Sequence, residues 1–478
     1  MRTLLQVLSD DEIARVHECT VKILAKTGVR VETALGRKYL AEAGAEVDEE
    51  THYVRFPRAL VEESLRLTPK QFTLGARRPG WDLKMNADEC TLCADGSGTT
   101  VYDWETEKFR QSTYKDWLNI TRLLDTIDEI GIYWTMVDWG HGEATIQDSL
   151  KFWSNLFSNF SKHVQDGIEQ KDLAPWLLET LQIVFGDADT IRKTHPFSFL
   201  VCPQSPLIID EQYTEAYLAV TGYKIPLAVM PMPLMGGTGP GTMISMVILG
   251  NCEVLAMLCL LQAVDPGTPF IYAPVLATMD PRTGNLASGT VESSIMAAAA
   301  VQMARHYRLP VCASGGGTDH YKPGIQAAYE RAANDMISVL AWPDIMIGPG
   351  LLGGSMILSP EQLLIDVEVY RMARKAYEGI STEEGEWLDD IIRQVGPGGH
   401  FIGERSTVDA IRNGEWYLSQ MGTHGTLKEW QEAGKPTILE ESRELVTQLL
   451  KEHDPMPLPD DIVKGLAALE ESIREKEA

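Results

Sequence analysis

Positive charge is scarce in this sequence. Its 478 residues hold 42 Lys and Arg against 68 Asp and Glu, for a formal net charge of −26. Phosphate recognition needs concentrated basic side chains, so a nucleic-acid partner is not expected. Cysteines are few and odd in number, at positions 19, 90, 93, 202, 252, 259 and 312. That scatter fits reduced thiols in a cytoplasmic protein, not a disulfide framework. The N-terminal apolar stretch is short and turns acidic at Asp10 and Asp11, which does not fit a secretory signal. No low-complexity tract interrupts the apolar runs, so global disorder is excluded. Gly-x-Ser-x-Gly and His-Glu-x-x-His do not occur, leaving neither a nucleophile elbow nor a zinc helix to read. No metal site is expected. A single run is long and apolar enough to question as a membrane span, Met243 to Val264, and it carries Asn251, Glu253 and Gln262. A carboxylate near the centre of a span costs roughly 2 kcal/mol or more. The run reads as a helix buried inside a soluble protein.

What is present is alternation. The first 88 residues read as helical, without strand alternation until Phe72. Ser9 and Glu12 form a capping box, a second helix runs through Leu35 to Ala43, and a third begins near Pro57. From residue 89, eight short apolar runs begin near Thr91, Ile132, Lys162, Phe197, Pro226, Phe270, Pro310 and Ile345. They are spaced by roughly 30 to 45 residues, and an amphipathic helix fits in each gap. Repeated strand–helix units predict a (β/α)8 TIM barrel over residues 89–378. A doubly wound open sheet would instead want a glycine fingerprint leading into a helix after its first strand. Here Asp95-Gly-Ser-Gly98 leads into another turn. Residues 379–478 read as a charged, partly irregular, then helical extension. The N-terminal segment 1–88 is expected to pack on the barrel.

In such a barrel, chemistry sits on the loops after the strands. The seventh run ends in Gly315-Gly-Gly-Thr-Asp-His320, with Lys322 close behind. Three glycines permit close approach of a large ligand or a second protein, and Asp319, His320 and Lys322 offer charge. The plain alternative is a flexible turn. The fifth run ends in Gly236-Gly-Thr-Gly-Pro-Gly241, a turn into the apolar helix that suits either an anion or a tight connection. Cys90-Thr-Leu-Cys93 is a lone pair whose members point to opposite faces of a strand, so core cysteines are the better reading. His141-Gly-Glu143 lacks the Pro-Cys-x-x-Cys that a zinc deaminase would need. His163 and Asp166 lie on the third run, where a binding or acid–base role competes with simple hydrogen bonding. Asp95 and Gln204 follow the first and fourth runs. Aromatics follow several runs: Tyr102 and Trp104, Trp134 and Trp139, with Tyr272 on the sixth. Gathered at one mouth they would suit a cation without N–H donors, such as a quaternary ammonium; taken singly, each is a core residue.

Several segments together resemble the trimethylamine methyltransferase family. They are Ile23-Leu-Ala-Lys-Thr-Gly-Val, Pro233-Leu-Met-Gly-Gly-Thr-Gly-Pro, Glu253-Val-Leu-Ala and Pro266-Gly-Thr-Pro-Phe-Ile-Tyr, then Met279-Asp-Pro-Arg-Thr-Gly284, Gly316-Gly-Thr-Asp, Gln326-Ala-Ala-Tyr-Glu330 and Gly396-Pro-Gly-Gly-His-Phe401. The resemblance implies a (β/α)8 barrel that moves a methyl group from a methylated amine to the cobalt of a separate corrinoid protein, with no cofactor held tightly by the barrel itself. The founding enzymes carry pyrrolysine. This chain has standard residues only, so it resembles the non-pyrrolysine branch, which implies glycine betaine first, and proline betaine or carnitine next. Under that reading Trp139, Tyr102, Tyr272, Asp95, His163, Gln204, His320 and Lys322 bind substrate. Gly236, Gly237, Gly316, Gly317 and Asp319 face the corrinoid. Two other classes stay open: a metal-dependent barrel lyase or hydrolase, and a non-catalytic scaffold for a corrinoid protein. An acidic barrel of this size is also expected to self-associate.

Overall fold

The computed structural model describes residues 2–138, 145–315 and 317–477, with side chains to Ile473. Eight parallel strands form one sheet: β1 (Thr91–Cys93), β2 (Ile130–Tyr133), β3 (His163–Asp166), β4 (Phe197–Val201), β5 (Leu227–Val229), β6 (Phe270–Tyr272), β7 (Cys312–Ser314) and β8 (Ile345–Ile347). They pair in chain order from β1 to β6, and β7 pairs with β8, which pairs with β1. The last seam, β6 to β7, closes through a bridge between Tyr272 and Val311, with Tyr272 N donating to Pro310 O at 2.9 Å. The result is the expected barrel.

Both faces of these strands are buried and, with His163, Gln165 and Ser198 as polar exceptions, largely apolar, which is why they read as continuous runs instead of alternating ones. Cys93, Ile132, Leu200, Ala228, Ile271, Cys312, Ile345 and Ile347 fill the interior. Their neighbours Leu92, Val164, Phe199, Val229 and Met346 belong to the outer core, under the helices. The helical ring is α1 (Tyr114–Thr126), α2 (Ile146–Asn159), α3 (Ala174–Phe185), α4 (Gln212–Leu218), α5 (Met243–Val264), α6 (Val291–Tyr307), α7 (Ile325–Ala341) and α8 (Pro360–Glu378). Capping boxes at Thr113 with Asp116 and at Thr145 with Asp148 start α1 and α2.

The apolar helix α5 is a buried helix of the ring, packed against α6 and three N-terminal helices. Its polar residues are all engaged. Asn251 Nδ2 donates to Thr20 Oγ1 at 2.8 Å and to Tyr307 Oη at 2.9 Å. Gln262 Nε2 donates to Thr268 O at 3.0 Å. Glu253 accepts from Ser205 Oγ at 2.9 Å and Leu207 N at 2.8 Å, pinning the loop after β4. Burial pushes its carboxyl up to about 7.

The N-terminal segment departs from expectation. Besides helices Asp10–Lys26, Ala34–Glu42 and Arg58–Leu67 it contains strands Val29–Val31, Glu46–Asp48 and Tyr53–Arg55. These join Ile208–Ile209 in a four-stranded sheet. Strands of three residues are too short for alternation to register in the sequence. A hairpin of Phe72–Leu74 with Leu83–Met85 sends Leu74 and Met85 into the barrel interior as its floor. The barrel's packing unit therefore begins before residue 89.

Candidate active site

The C-terminal ends of the strands open onto a mouth walled by two small sheets. Leu234–Met235, Ala277–Met279 and Leu286–Ala287 join the loops after β5 and β6. Leu351–Leu352 and Ile357–Leu358 join the loop after β8 to the ribbon Thr100–Asp103 with Lys108–Gln111 after β1. The loop after β7 is stitched to both walls. Asp319 Oδ1 accepts from Ser288 N at 2.7 Å and Ser288 Oγ at 3.1 Å. On the other side Gly353 N donates to His320 O at 2.9 Å and Gly354 N to Thr318 O at 3.0 Å. Glu330 on α7 holds the loop from beneath, accepting from Thr318 Oγ1 at 2.6 Å and Asp319 N at 3.0 Å.

Two carboxylates directly at the strand ends, Asp95 and Asp166, stand at this end of the barrel. Asp95 follows inward-facing Cys93 by two residues and is buried. It accepts from Ser355 Oγ at 2.6 Å and Gly96 N at 3.0 Å. Burial raises its pKa despite those bonds and nearby Arg331. Asp166, at the end of β3, accepts from Gly167 N at 2.8 Å and Thr135 Oγ1 at 3.3 Å, and burial pushes it up to about 7. Trp134, just past β2, packs on the interior cluster, and a Cβ on Gly96 would meet its ring at 3.3 Å. The inward positions above the core are small or flexible: Cys202, Met230, Ala273 and, by alternation, Ser314. Burial pushes the Cys202 thiol up to about 12, so it stays protonated at neutral pH.

Beneath the mouth Arg331 and Asp366, both about 1% exposed, face each other at 3.7 Å. Arg331 also donates to the carbonyls of Gly348 and Leu351. Asp366 accepts from Gly350 N and Gln362 Nε2 at 2.8 and 2.7 Å. The pair thus fixes the loop after β8 to α7 and α8.

The predicted site residues separate into groups. Trp139 and Gly316 lie outside the described residues, as do His141 and Glu143. Tyr272 does not reach the mouth. Its ring faces outward, and its Oη donates to Asn251 Oδ1 at 2.9 Å inside the helical layer. His163 does not reach it either. It is fully buried in the interior, with Nδ1 donating to Gly75 O at 2.9 Å and Nε2 2.9 Å from Ser198 Oγ. Burial lowers it to about 4, so it is a neutral structural imidazole. Tyr102 packs with Ala327, Leu352 and Ile357 under the ribbon, outside the mouth. Gln204 is exposed in the turn after β4, where its N and O pair with Ile208. Asp95 is at the mouth; His320 is half-buried and Lys322 exposed on the β7 loop. Gly236, at φ +87°, and Gly237 are exposed on the β5 loop. Gly317 is not free, since a Cβ there would lie 2.7 Å from Ser288 Cβ, and Asp319 is committed to Ser288.

Asp166 and Trp134 gain weight that their sequence positions only hinted at; nothing in the sequence pointed to Ser355. Around the mouth Met232, Leu286, Tyr321, Ile325 and Tyr329 are exposed, an apolar rim of the kind that marks a protein-binding face. Among the described residues no three His, Cys, Asp or Glu gather as a metal cluster.

Comparison with known proteins gives a consistent result. The sequence profile of the family described as trimethylamine methyltransferase (MTTB) matches residues 2–478. A trimethylamine methyltransferase MttB of Desulfitobacterium hafniense is 29% identical over 471 residues, covering 98% of this chain and 94% of that one. One from Methanosarcina barkeri is 28% identical, covering 97% and 94%. A glycine betaine methyltransferase of D. hafniense is 28% identical over 429 residues, covering 89% and 88%. Among solved structures, the monomethylamine methyltransferase MtmB of M. barkeri shares the fold, with a TM-score of 0.51 at 10% identity over 98% of this chain and 94% of that one.

Proposed function

We propose, from the premise that this chain belongs to the trimethylamine methyltransferase family, that it takes a methyl group from a quaternary amine and passes it to a corrinoid protein. Glycine betaine is the first candidate, with proline betaine and carnitine next. The observation that carries this reading is a mouth with carboxylates and an aromatic ring and no activated nucleophile among its described side chains. The relative named as a glycine betaine methyltransferase supports the substrate class.

The chemistry asks little of the protein beyond binding. The corrinoid, when presented, supplies Co(I) as a two-electron nucleophile toward the methyl carbon. The C–N bond breaks with its electron pair on nitrogen, so a quaternary amine departs neutral and needs no general acid. A tertiary amine leaving unprotonated is a far poorer leaving group. Asp95 and Asp166 make the mouth attractive to a cation, more so once Asp166 ionises near pH 7. Trp134 supplies a ring for cation–π contact. On the β7 loop of the rim, exposed Lys322 offers positive charge to a substrate carboxylate and His320 lies two residues before it. Closure against a partner excludes water and aligns the methyl group. The residues present fit a large planar acceptor: the exposed backbone of Gly236 and Gly237 permits close approach, and the apolar rim would seat the carrier protein. The reading includes a cytoplasmic location and a homo-oligomer.

The test is anaerobic methyl transfer from glycine betaine, proline betaine, carnitine, choline and trimethylamine to free cob(I)alamin, followed by loss of Co(I) absorbance. Loss with a quaternary amine and none with trimethylamine is expected, with KM raised about tenfold in Trp134→Ala. Transfer from trimethylamine alone would contradict the reading.

A further inference from the structure

The polar side chains inside the barrel form a chain with one loose end. His163 and Gln165 of β3 and Ser198 of β4 are fully buried in the otherwise apolar interior. The chain starts at the floor, where His163 Nδ1 donates to Gly75 O at 2.9 Å. A carbonyl oxygen only accepts, so the imidazole proton sits on Nδ1, and Nε2 of the neutral ring is an acceptor. Ser198 Oγ lies 2.9 Å from that Nε2 and 3.3 Å from the side-chain amide of Gln165. Its single proton goes to His163. With Oε1 of Gln165 toward Ser198, two acceptors would compete for that proton, and Nε2 of Gln165 would be buried with no partner among the described residues. A half-turn of the amide removes the conflict. Nε2 then donates to Ser198 Oγ, and Oε1 points away from Ser198 as a buried acceptor. A buried acceptor left unpaired is costly, so the interior holds a place for a group that the chain does not itself supply.

That place lies in the layer of the mouth. Ile132 of β2 pairs with His163 on one side and with Cys93 on the other. Two residues further along the three strands stand Trp134, Gln165 and Asp95, side by side and inward by alternation. Asp95 brings a carboxylate, Trp134 a ring and Gln165 a carbonyl oxygen. We infer that Gln165 contacts the substrate through its side-chain carbonyl, receiving the N-methyl groups of the cationic head beside Trp134 and Asp95, with Ser198 as the positioning residue that aims it. The inference rests on the proposed amine demethylation and assigns one contact within it. In a quaternary ammonium the positive charge is spread over the methyl hydrogens, so a carbonyl oxygen meets them as a C–H acceptor. A neutral acceptor adds attraction without a second carboxylate that would favour protonation of Asp95. The charge that Gln165 stabilises is present in the bound amine and vanishes as the methyl group departs. The contact is therefore strongest before the reaction, and it lowers KM without raising kcat.

The experiment is calorimetric titration of the full chain, without corrinoid, with tetramethylammonium, glycine betaine and 3,3-dimethylbutanoate. The last is glycine betaine with carbon in place of the charged nitrogen. Gln165→Met keeps the length of the side chain and removes the acceptor. It should raise Kd about five- to tenfold for both cations and less than about twofold for 3,3-dimethylbutanoate. Its denaturant midpoint without ligand should not fall, since an unpaired buried acceptor is removed as well. Ser198→Ala frees the amide to turn, and should weaken both cations about two- to threefold while sparing the uncharged isostere. In methyl transfer, Gln165→Met should raise KM with kcat within about twofold of the wild type. Equal Kd values in wild type and Gln165→Met, an equal loss for the uncharged isostere, or a wild type that binds neither cation would overturn the inference. Should Gln165→Met fail to fold, Ser198→Ala decides by the same comparison of cation with isostere. If trimethylamine alone is demethylated while the cation-selective loss holds, the quaternary-amine reading falls and the contact stands.

Discussion

The barrel wall and the arm, residues 379–437 after α8, are built from the same residue types to opposite effect. In the barrel, Ile132, Ile271 and Ile345 are fully buried, each locked between a strand neighbour and the interior cluster. In the arm, Ile380, Ile392 and Ile402 point at water. Burying an isoleucine contributes about 1.5–3 kcal/mol, a contribution the barrel collects and the arm does not.

That contrast can be broken from either side. The largest effect belongs to the barrel's buried pair. Arg331→Met leaves Asp366 buried without its cation, and loss of about 3–5 kcal/mol of stability is expected by denaturant titration. Arg331→Met/Asp366→Leu should recover much of that loss, since both charges are then gone. A loss under 1 kcal/mol for the single variant would show that the loop after β8 does not depend on the pair.

A smaller and pH-dependent effect is expected at Glu253. Its folded pKa of about 7 lies above the ordinary 4.5, so the folded chain holds that proton more tightly than the unfolded chain. Stability from this group is then fullest below pH 4.5 and falls as pH rises to 7. Glu253→Gln can keep the contacts to Leu207 N and Ser205 Oγ without the charge. It should match the wild type at the acid end of that window and exceed it by on the order of 3 kcal/mol above pH 7.5. Equal stability across the range would mean that Glu253 is not held protonated.

The wall of the barrel was readable because its strands are buried on both sides. Thr91, Phe197, Phe270 and Ile345 open their strands where the apolar runs begin, and the other runs start within two residues of theirs. The same property hid which way each side chain points. When both faces are apolar there is no polar residue to set the phase, so Tyr272 fits the mouth by pattern although its ring faces Asn251. His163 misled for a related reason, since a polar residue in an apolar run suggests a ligand, and here its partners are Gly75 and Ser198. Asp95 reaches Ser355 across 260 residues, a contact no local pattern encodes. The arm read as charged and irregular, and its missing core became visible only once exposure was known.

The most direct test of the account is whether this barrel takes a methyl group from a quaternary amine. Assayed anaerobically with glycine betaine and cob(I)alamin, the wild type should consume Co(I), and Trp134→Ala should do so with KM raised about tenfold. Transfer from trimethylamine with none from any quaternary amine would contradict the account.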